Sequence, residues 1–202
     1  TMFDACITRW DATHTNYLEI GYSQDSCGVD VVDEDIRNDV EYFGVDVYTT
    51  VERVADHFGA ETFTRKRILV KEVEARRNGD RVYYLRFGEH SAYAFDITRT
   101  PARSDWDSCC CGILVVRRAR WPETVYVDGY VFKKIQEAFT DRVMAALNGW
   151  IYELEATVDG ESTTYSGLIS EEVALEIAAA EFPAIKYAPD DFEEETVWRL
   201  VA

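Results

Sequence analysis

Proline and glycine are scarce in this chain, four and eleven among 202 residues, too few to build a long flexible linker. No apolar run approaches the roughly 20 residues of a membrane span, so no membrane partner is expected. The opening "TMFDACITRW" lacks the basic start and apolar stretch of a secretory signal, and Met2 reads as the natural start behind an extraneous Thr1. No glycine-rich phosphate loop and no Gly-x-Ser-x-Gly nucleophile motif is present; "NGD", "DGY" and "DGE" read as turns. The cysteines number five, an odd count without a secretion signal, which points to reduced thiols in a cytosol. Positive charge is outnumbered: 21 Lys and Arg face 38 Asp and Glu, a net of −17. That balance argues against direct nucleic-acid binding through a broad basic face and favours a basic partner.

What is present suffices for a core. Hydrophobic residues make up 47% and aromatics 13%, and the length fits one domain, with residues 1–60 as a candidate acidic N-terminal subdomain. The acid is unevenly spread. Residues 1–46 carry 11 acids against Arg9 and Arg37; residues 47–149 are nearly balanced; residues 150–195 carry 13 acids against Lys186 alone. If the two ends fold together, one region of the molecule becomes strongly negative.

The patterning indicates an α+β fold with a mostly antiparallel sheet, hairpins, one long helix and several short ones. Strands are expected at 16–22, 27–32, 91–98 and 112–118. A helix is expected over 33–44, and another over 49–59 with a threonine cap. Residues 67–87 read as a hairpin around Asn78-Gly79, since that pair favours a tight turn. The long helix spans 129–149 on a stripe from Val131 to Leu147, followed by a second hairpin turning at Asp159-Gly160. Residues 170–182 form a helix capped by Ser170 and halted by Pro183, and the apolar end of the tail adds a candidate edge strand.

"SDWDSCCCGILVVRR" (104–118) is the strangest stretch. Zinc sites pair Cys-x₂₋₄-Cys with a second pair, whereas Cys109, Cys110 and Cys111 are contiguous and Cys6 and Cys27 are single. Free cysteine behaves as a small hydrophobe, so the three read as strand residues, Cys109 and Cys111 on one face and Cys110 on the other. No metal and no cofactor is expected. His90 near Glu89, Asp96, Asp105 and Asp107 is a candidate base or ligand, but without a nucleophile it reads as structural. His57 reads as a helix-end residue beside Asp56, and His14 as a lone loop residue. No catalytic residue is assigned.

The acids carry the functional reading. Rows of carboxylates imitate the charge of a DNA backbone and fit sites built from Lys and Arg. The candidate partner-binding residues are Asp30, Asp33, Glu34, Asp35, Asp39 and Glu41 in one group, and Glu153, Glu155, Asp190, Asp191, Glu193, Glu194 and Glu195 in the other. A merely solvated surface is the competing reading.

An ordered series of motifs adds to this: "EHSAYAFDI" (89–97), "WDSCCCGILVV" (106–116), "ALNGWIYELEAT" (146–157) and "YSGLISEE" (165–172). The series resembles a family of small acidic proteins of phages, plasmids and integrative elements. The matching positions are His90 and Ser91; Trp106, Asp107, Ser108 and Gly112; Leu147, Gly149 and Tyr152; and Gly167. The resemblance covers residues 85–175. It departs at "TTYSG", where the family has a cysteine-tryptophan pair. It implies a mobile-element accessory protein acting in a bacterial host cytoplasm. Together with the charge layout, it sets the expectation of an anti-CRISPR or anti-restriction inhibitor that mimics DNA toward a basic nucleic-acid-binding protein of a host defence system. The alternatives are a small hydrolase or nucleotide-handling enzyme using His90 and nearby carboxylates, and a non-enzymatic phage structural or regulatory protein.

Overall fold

The computed structural model describes residues 5–23, 27–89, 91–101, 108–186 and 188. Contacts divide the chain into two compact units that interleave along it. A terminal unit joins Thr1–Val31 to Gly149–Ala202, and a central unit is Val32–Asn148.

The terminal unit is an antiparallel sheet of β1 (Ala5–Trp10), β2 (Tyr17–Tyr22), β7 (Tyr152–Val158) and β8 (Glu161–Leu168), in the order β1-β2-β7-β8. Thus a strand from near the start pairs with one from the second half: Tyr17 faces Thr157 and Tyr22 faces Tyr152. Alternation along β2 and β7 buries Leu18, Ile20, Leu154 and Ala156 on one face. Helix α5 (Glu171–Glu181) covers that face with Ala174 and Ala178. Its start follows the expected chemistry, with the Ser170 hydroxyl accepting from the Val173 N–H at 3.2 Å. The β7–β8 turn also falls where expected, at Asp159 and Gly160, both left-handed (φ 52° and 83°).

The central unit carries the sheet β3-β6-β4-β5, from β3 (Val45–Thr49), β4 (Arg81–Glu89), β5 (Tyr93–Thr98) and β6 (Ser108–Val116), antiparallel throughout. Successive residues of β4 serve opposite faces. Tyr83 meets Phe132 of α4 (Asp128–Asn148), ring centroids 5.2 Å apart. Val82 and Tyr84 pack with Ile68 and Ala75 of α3 (Arg65–Asn78) on the other side. The sheet is therefore sandwiched between helices. Short α2 (Glu52–His57) adds Phe58, whose ring lies 5.4 Å from Phe139 of α4.

Among the described residues, five α-helices and two four-stranded antiparallel sheets make the fold α+β, as the patterning indicates. The long helix is present with its expected stripe, but it is not alone. Helix α1 (Cys27–Phe43) has 17 residues and absorbs the strand expected at 27–32. The larger correction concerns 67–87. There is no hairpin: the first half is α3, and Gly79 (φ 78°) is its left-handed C-cap, returning its N–H to Ala75 and Arg76 before β4 begins. The threonine cap on α2 is also absent; Val51 holds that position, and its N–H is bound by Thr49 Oγ1 at 3.1 Å. Strands β1 and β3 lie where no strand is expected from sequence, and the tail strand falls outside the described residues.

Candidate functional site

The acids that the sequence nominates part company in the structure. Asp30 sits in the first turn of α1 rather than on a strand, and Asp30, Glu34, Asp35 and Glu41 are exposed along that helix. Asp33 and Asp39 are engaged in ion pairs. Asp33 Oδ1 lies 2.7 Å from His57 Nδ1, with Arg37 at 3.8 Å, and Asp39 meets Arg142 at 2.5 Å. Those contacts tie α1 to α2 and α4. His57 thus serves a side-chain pair rather than its own helix end. His14 is not alone either, since its ring stacks on Trp10 at 5.5 Å.

On β7, Glu153 and Glu155 share a face, but Glu153 is 4% exposed. Its Oε1 accepts from Ser23 Oγ at 2.7 Å and from Ser166 Oγ at 3.4 Å, which places it in the framework of the sheet. Glu155 stays half-exposed, directly opposite Glu19 of β2. Like charges facing each other across a ladder cost stability, so this pair is present despite the fold and not for it. Asp190, Asp191, Glu193, Glu194 and Glu195 lie outside the described residues, as do His90, Asp105, Trp106 and Asp107.

Although Asp33, Glu34, Asp35, Asp39, Glu41 and Asp46 belong to the central unit, the rest of the acidic N-terminal stretch and all of the acidic C-terminal one share the terminal unit. Among its described residues, 11 acids face only Arg9 and Lys186. Asp159, Glu161, Glu171, Glu172, Glu176 and Glu181 are all exposed. The carboxylates of α5 and of the β7–β8 turn escaped the sequence-based choice of site residues. Their signal was available in the alternation and the helical spacing.

The cysteines are strand residues, as expected, though not with strict alternation. A bulge sits at Cys111: Leu85 pairs with Gly112 and Arg86 with Cys110, leaving Cys111 as the extra residue. Its carbonyl is held by Thr49 Oγ1 (3.1 Å), Thr50 Oγ1 (3.2 Å) and the Thr50 N–H (2.8 Å). Gly112 is required because a Cβ there would stand 2.3 Å from the Tyr48 carbonyl oxygen. Burial pushes the Cys111 thiol up to about 12, and burial likewise raises Cys110, so neither is an activated nucleophile. No group of three or more His, Cys, Asp or Glu able to hold a metal occurs among the described residues.

Beside these cysteines a cleft of about 510 Å³ opens between α3 and β6. Ile68, Leu69, Pro101, Cys109, Cys110 and Ile113 give it an apolar lining, and Arg65 and Glu72 contribute charge. Glu72 is neutralised: Arg76 lies 3.1 Å away, and the Tyr84 hydroxyl donates to Glu72 Oε1 at 2.6 Å. Burial and that carboxylate together raise the Tyr84 phenol, which stays protonated as a donor. The Glu72 side of the cleft is therefore braced by an ion pair and a hydrogen bond.

No helix among the described residues is long and apolar enough to cross a membrane. Comparison of the chain with family models, with curated proteins and with solved structures gives no match.

Proposed function

We propose that this protein is an inhibitor carried by a mobile element, of the anti-CRISPR or anti-restriction kind, acting in a bacterial host cytoplasm. Its carboxylates take the place of DNA phosphates in a basic nucleic-acid channel of a host defence protein. The observation that carries this reading is the acid of the terminal unit, which joins residues 1–31 to 149–202 and in which acids outnumber bases 11 to 2 among the described residues. The facing Glu19–Glu155 pair adds weight, because a surface selected for stability alone would not place two carboxylates opposite each other. The resemblance of the motif series to small acidic proteins of phages and plasmids supports the setting.

The test begins with the partner retained from a host lysate and asks whether the protein displaces DNA from it. Two sets of amide substitutions follow: Asp30, Glu34, Asp35 and Glu41 on α1, and Asp190, Asp191, Glu193, Glu194 and Glu195 in the tail. Each exposed ion pair is worth only about 0–1 kcal/mol, so a set should weaken binding by several such increments, more at low salt than at high. Unchanged inhibition after both sets are neutralised overturns the mimicry and leaves the acid as a solubility device.

A further inference from the structure

Helix α3 contradicts the rest of the molecule in two ways. In a chain of net charge −17, its 14 residues hold six cations and two acids. Lys71 and Arg76 are paired with Glu74 and Glu72. No ion pair joins Arg65, Lys66, Arg67 or Arg77 to a carboxylate among the described residues, and all four are exposed. An acidic protein that leaves four cations of one helix without a carboxylate among the described residues is keeping them for something else.

The second contradiction is apolar. Ile68 and Ala75 face the sheet, as they should. Leu69, Val70 and Val73 do not: they are 62%, 51% and 49% exposed. Their spacing places them side by side on the outward surface of the helix. Valine is a modest helix former, and in an exposed position it gains nothing from packing to compensate. Leu69 also forms part of the rim of the 510 Å³ cleft, with Arg65 beside it. Apolar row, cleft and cations are thus one continuous surface on the central unit.

We propose that this surface docks an acidic segment of a partner protein carrying an apolar anchor side chain. The anchor fills the cleft beside Ile68 and Leu69, and the segment's carboxylates pair with Arg65, Lys66, Arg67 and Arg77. Arginine clusters that read acidic segments, and anchors buried in a pocket ringed by polar contacts, are established modes of recognition. Glu72 does not repel such a segment, because Arg76 and Tyr84 already satisfy it. The apolar row argues against a nucleic-acid backbone as occupant, since phosphates have no use for Leu69, Val70 and Val73. A second copy docked helix to helix would bring two sets of cations together. This inference is independent of the acidic terminal unit and its proposed role.

The full-length protein is titrated into a labelled probe peptide, Glu-Asp-Glu-Asp-Leu-Trp-Glu-Asp-Glu-Asp, and binding is read by fluorescence anisotropy. Two controls are the same peptide with Ala-Ala for Leu-Trp, and a ten-nucleotide thymidine oligomer. The anchored peptide should bind on the order of tenfold tighter than either. Leu69→Glu with Val73→Glu should remove that advantage, and Arg65→Glu with Lys66→Glu should abolish binding. All four positions are exposed, so the variants should keep the parent's circular dichroism and melting temperature. Equal binding of the anchorless peptide or the oligomer shows a surface that reads charge alone and overturns the proposal. So does unaltered binding by the Leu69/Val73 variant, or no binding of the anchored peptide at millimolar concentration. Sedimentation settles the remaining occupant: a dimer that dissolves on Leu69→Glu with Val73→Glu makes a second copy the partner, and the proposal fails.

Discussion

The terminal unit and the central unit solve the same packing problem with differently charged surfaces. Each buries aliphatic residues of a four-stranded antiparallel sheet under helices. Counted over the described residues, the terminal unit bears 11 acids and two bases, while the central unit bears 18 acids and 17 bases. The central unit spends about half of its charges in pairs, such as Asp46 with Arg117, Asp39 with Arg142 and Arg118 with Glu123. The terminal unit has few bases to pair with. Much of the charge in the central unit is part of the fold, and charge in the terminal unit is mostly left to solvent or a partner.

The sharpest way to break that comparison is to unfold one unit and watch the other. Phe139→Ala should cost about 3–5 kcal/mol in the central unit and Leu154→Ala about 2–5 in the terminal unit, both side chains being fully buried. Hydrogen exchange followed by mass spectrometry should place the lost protection in 32–148 for the first and in 5–31 and 149–186 for the second. Equal loss everywhere would mean the two units share one cooperative transition. Gly112→Ala is the next largest: its Cβ meets β3 backbone, and the strain should cost on the order of 1–3 kcal/mol, read by chemical denaturation.

Glu155→Gln sharpens the comparison in the other direction. Relieving the repulsion with Glu19 should raise stability by roughly 0.2–1 kcal/mol. A loss instead would make that carboxylate part of the sheet, as Glu153 is. The smallest effect belongs to Asp11, at the β1–β2 connection. Its carboxylate accepts from the Thr13 and Thr15 N–H groups, both at 3.1 Å, and from the Asn16 side chain at 2.8 Å. Burial pushes this carboxyl up, but the hydrogen bonds outweigh it and hold the group at about 2, against an ordinary 3.8. A depressed carboxyl stabilises the fold above its ordinary value, and that contribution fades as pH falls from about 4 through about 2. Amide exchange across residues 11–16 should therefore quicken in that window, and Asp11→Asn should flatten the dependence.

The fold class, the long helix, the Ser170 cap and the Asp159-Gly160 turn were legible because each rests on local chemistry. The errors are as instructive. Asn78-Gly79 supplies a left-handed residue, and a helix C-cap needs one as much as a hairpin does. Val70 and Val73 help to hide the helix from a pattern reading, because a helix buried on one side has no packing reason to carry them. They are the residues that α3 leaves in water, and a local rule broken in this way marks surface kept for use. Of the candidate site, the charge total was legible, but the burial of Glu153 was not. It depends on Ser23, 130 residues away, and no spacing rule reaches that far.

The order of strands in the terminal sheet has a consequence for synthesis. A chain emerges from the ribosome from its N-terminus, at about 5–20 residues per second. Strand β2 needs β7 beside it, yet Tyr17 and its partner Thr157 lie 140 residues apart. For on the order of ten seconds, β1 and β2 exist as a hairpin with Leu18 and Ile20 uncovered, and two-stranded hairpins are marginal alone. The whole central unit is translated in that interval and has everything it needs to fold first. The net negative charge of residues 1–46, 11 acids against Arg9 and Arg37, would then keep a waiting, half-finished sheet apart from its neighbours on the same message.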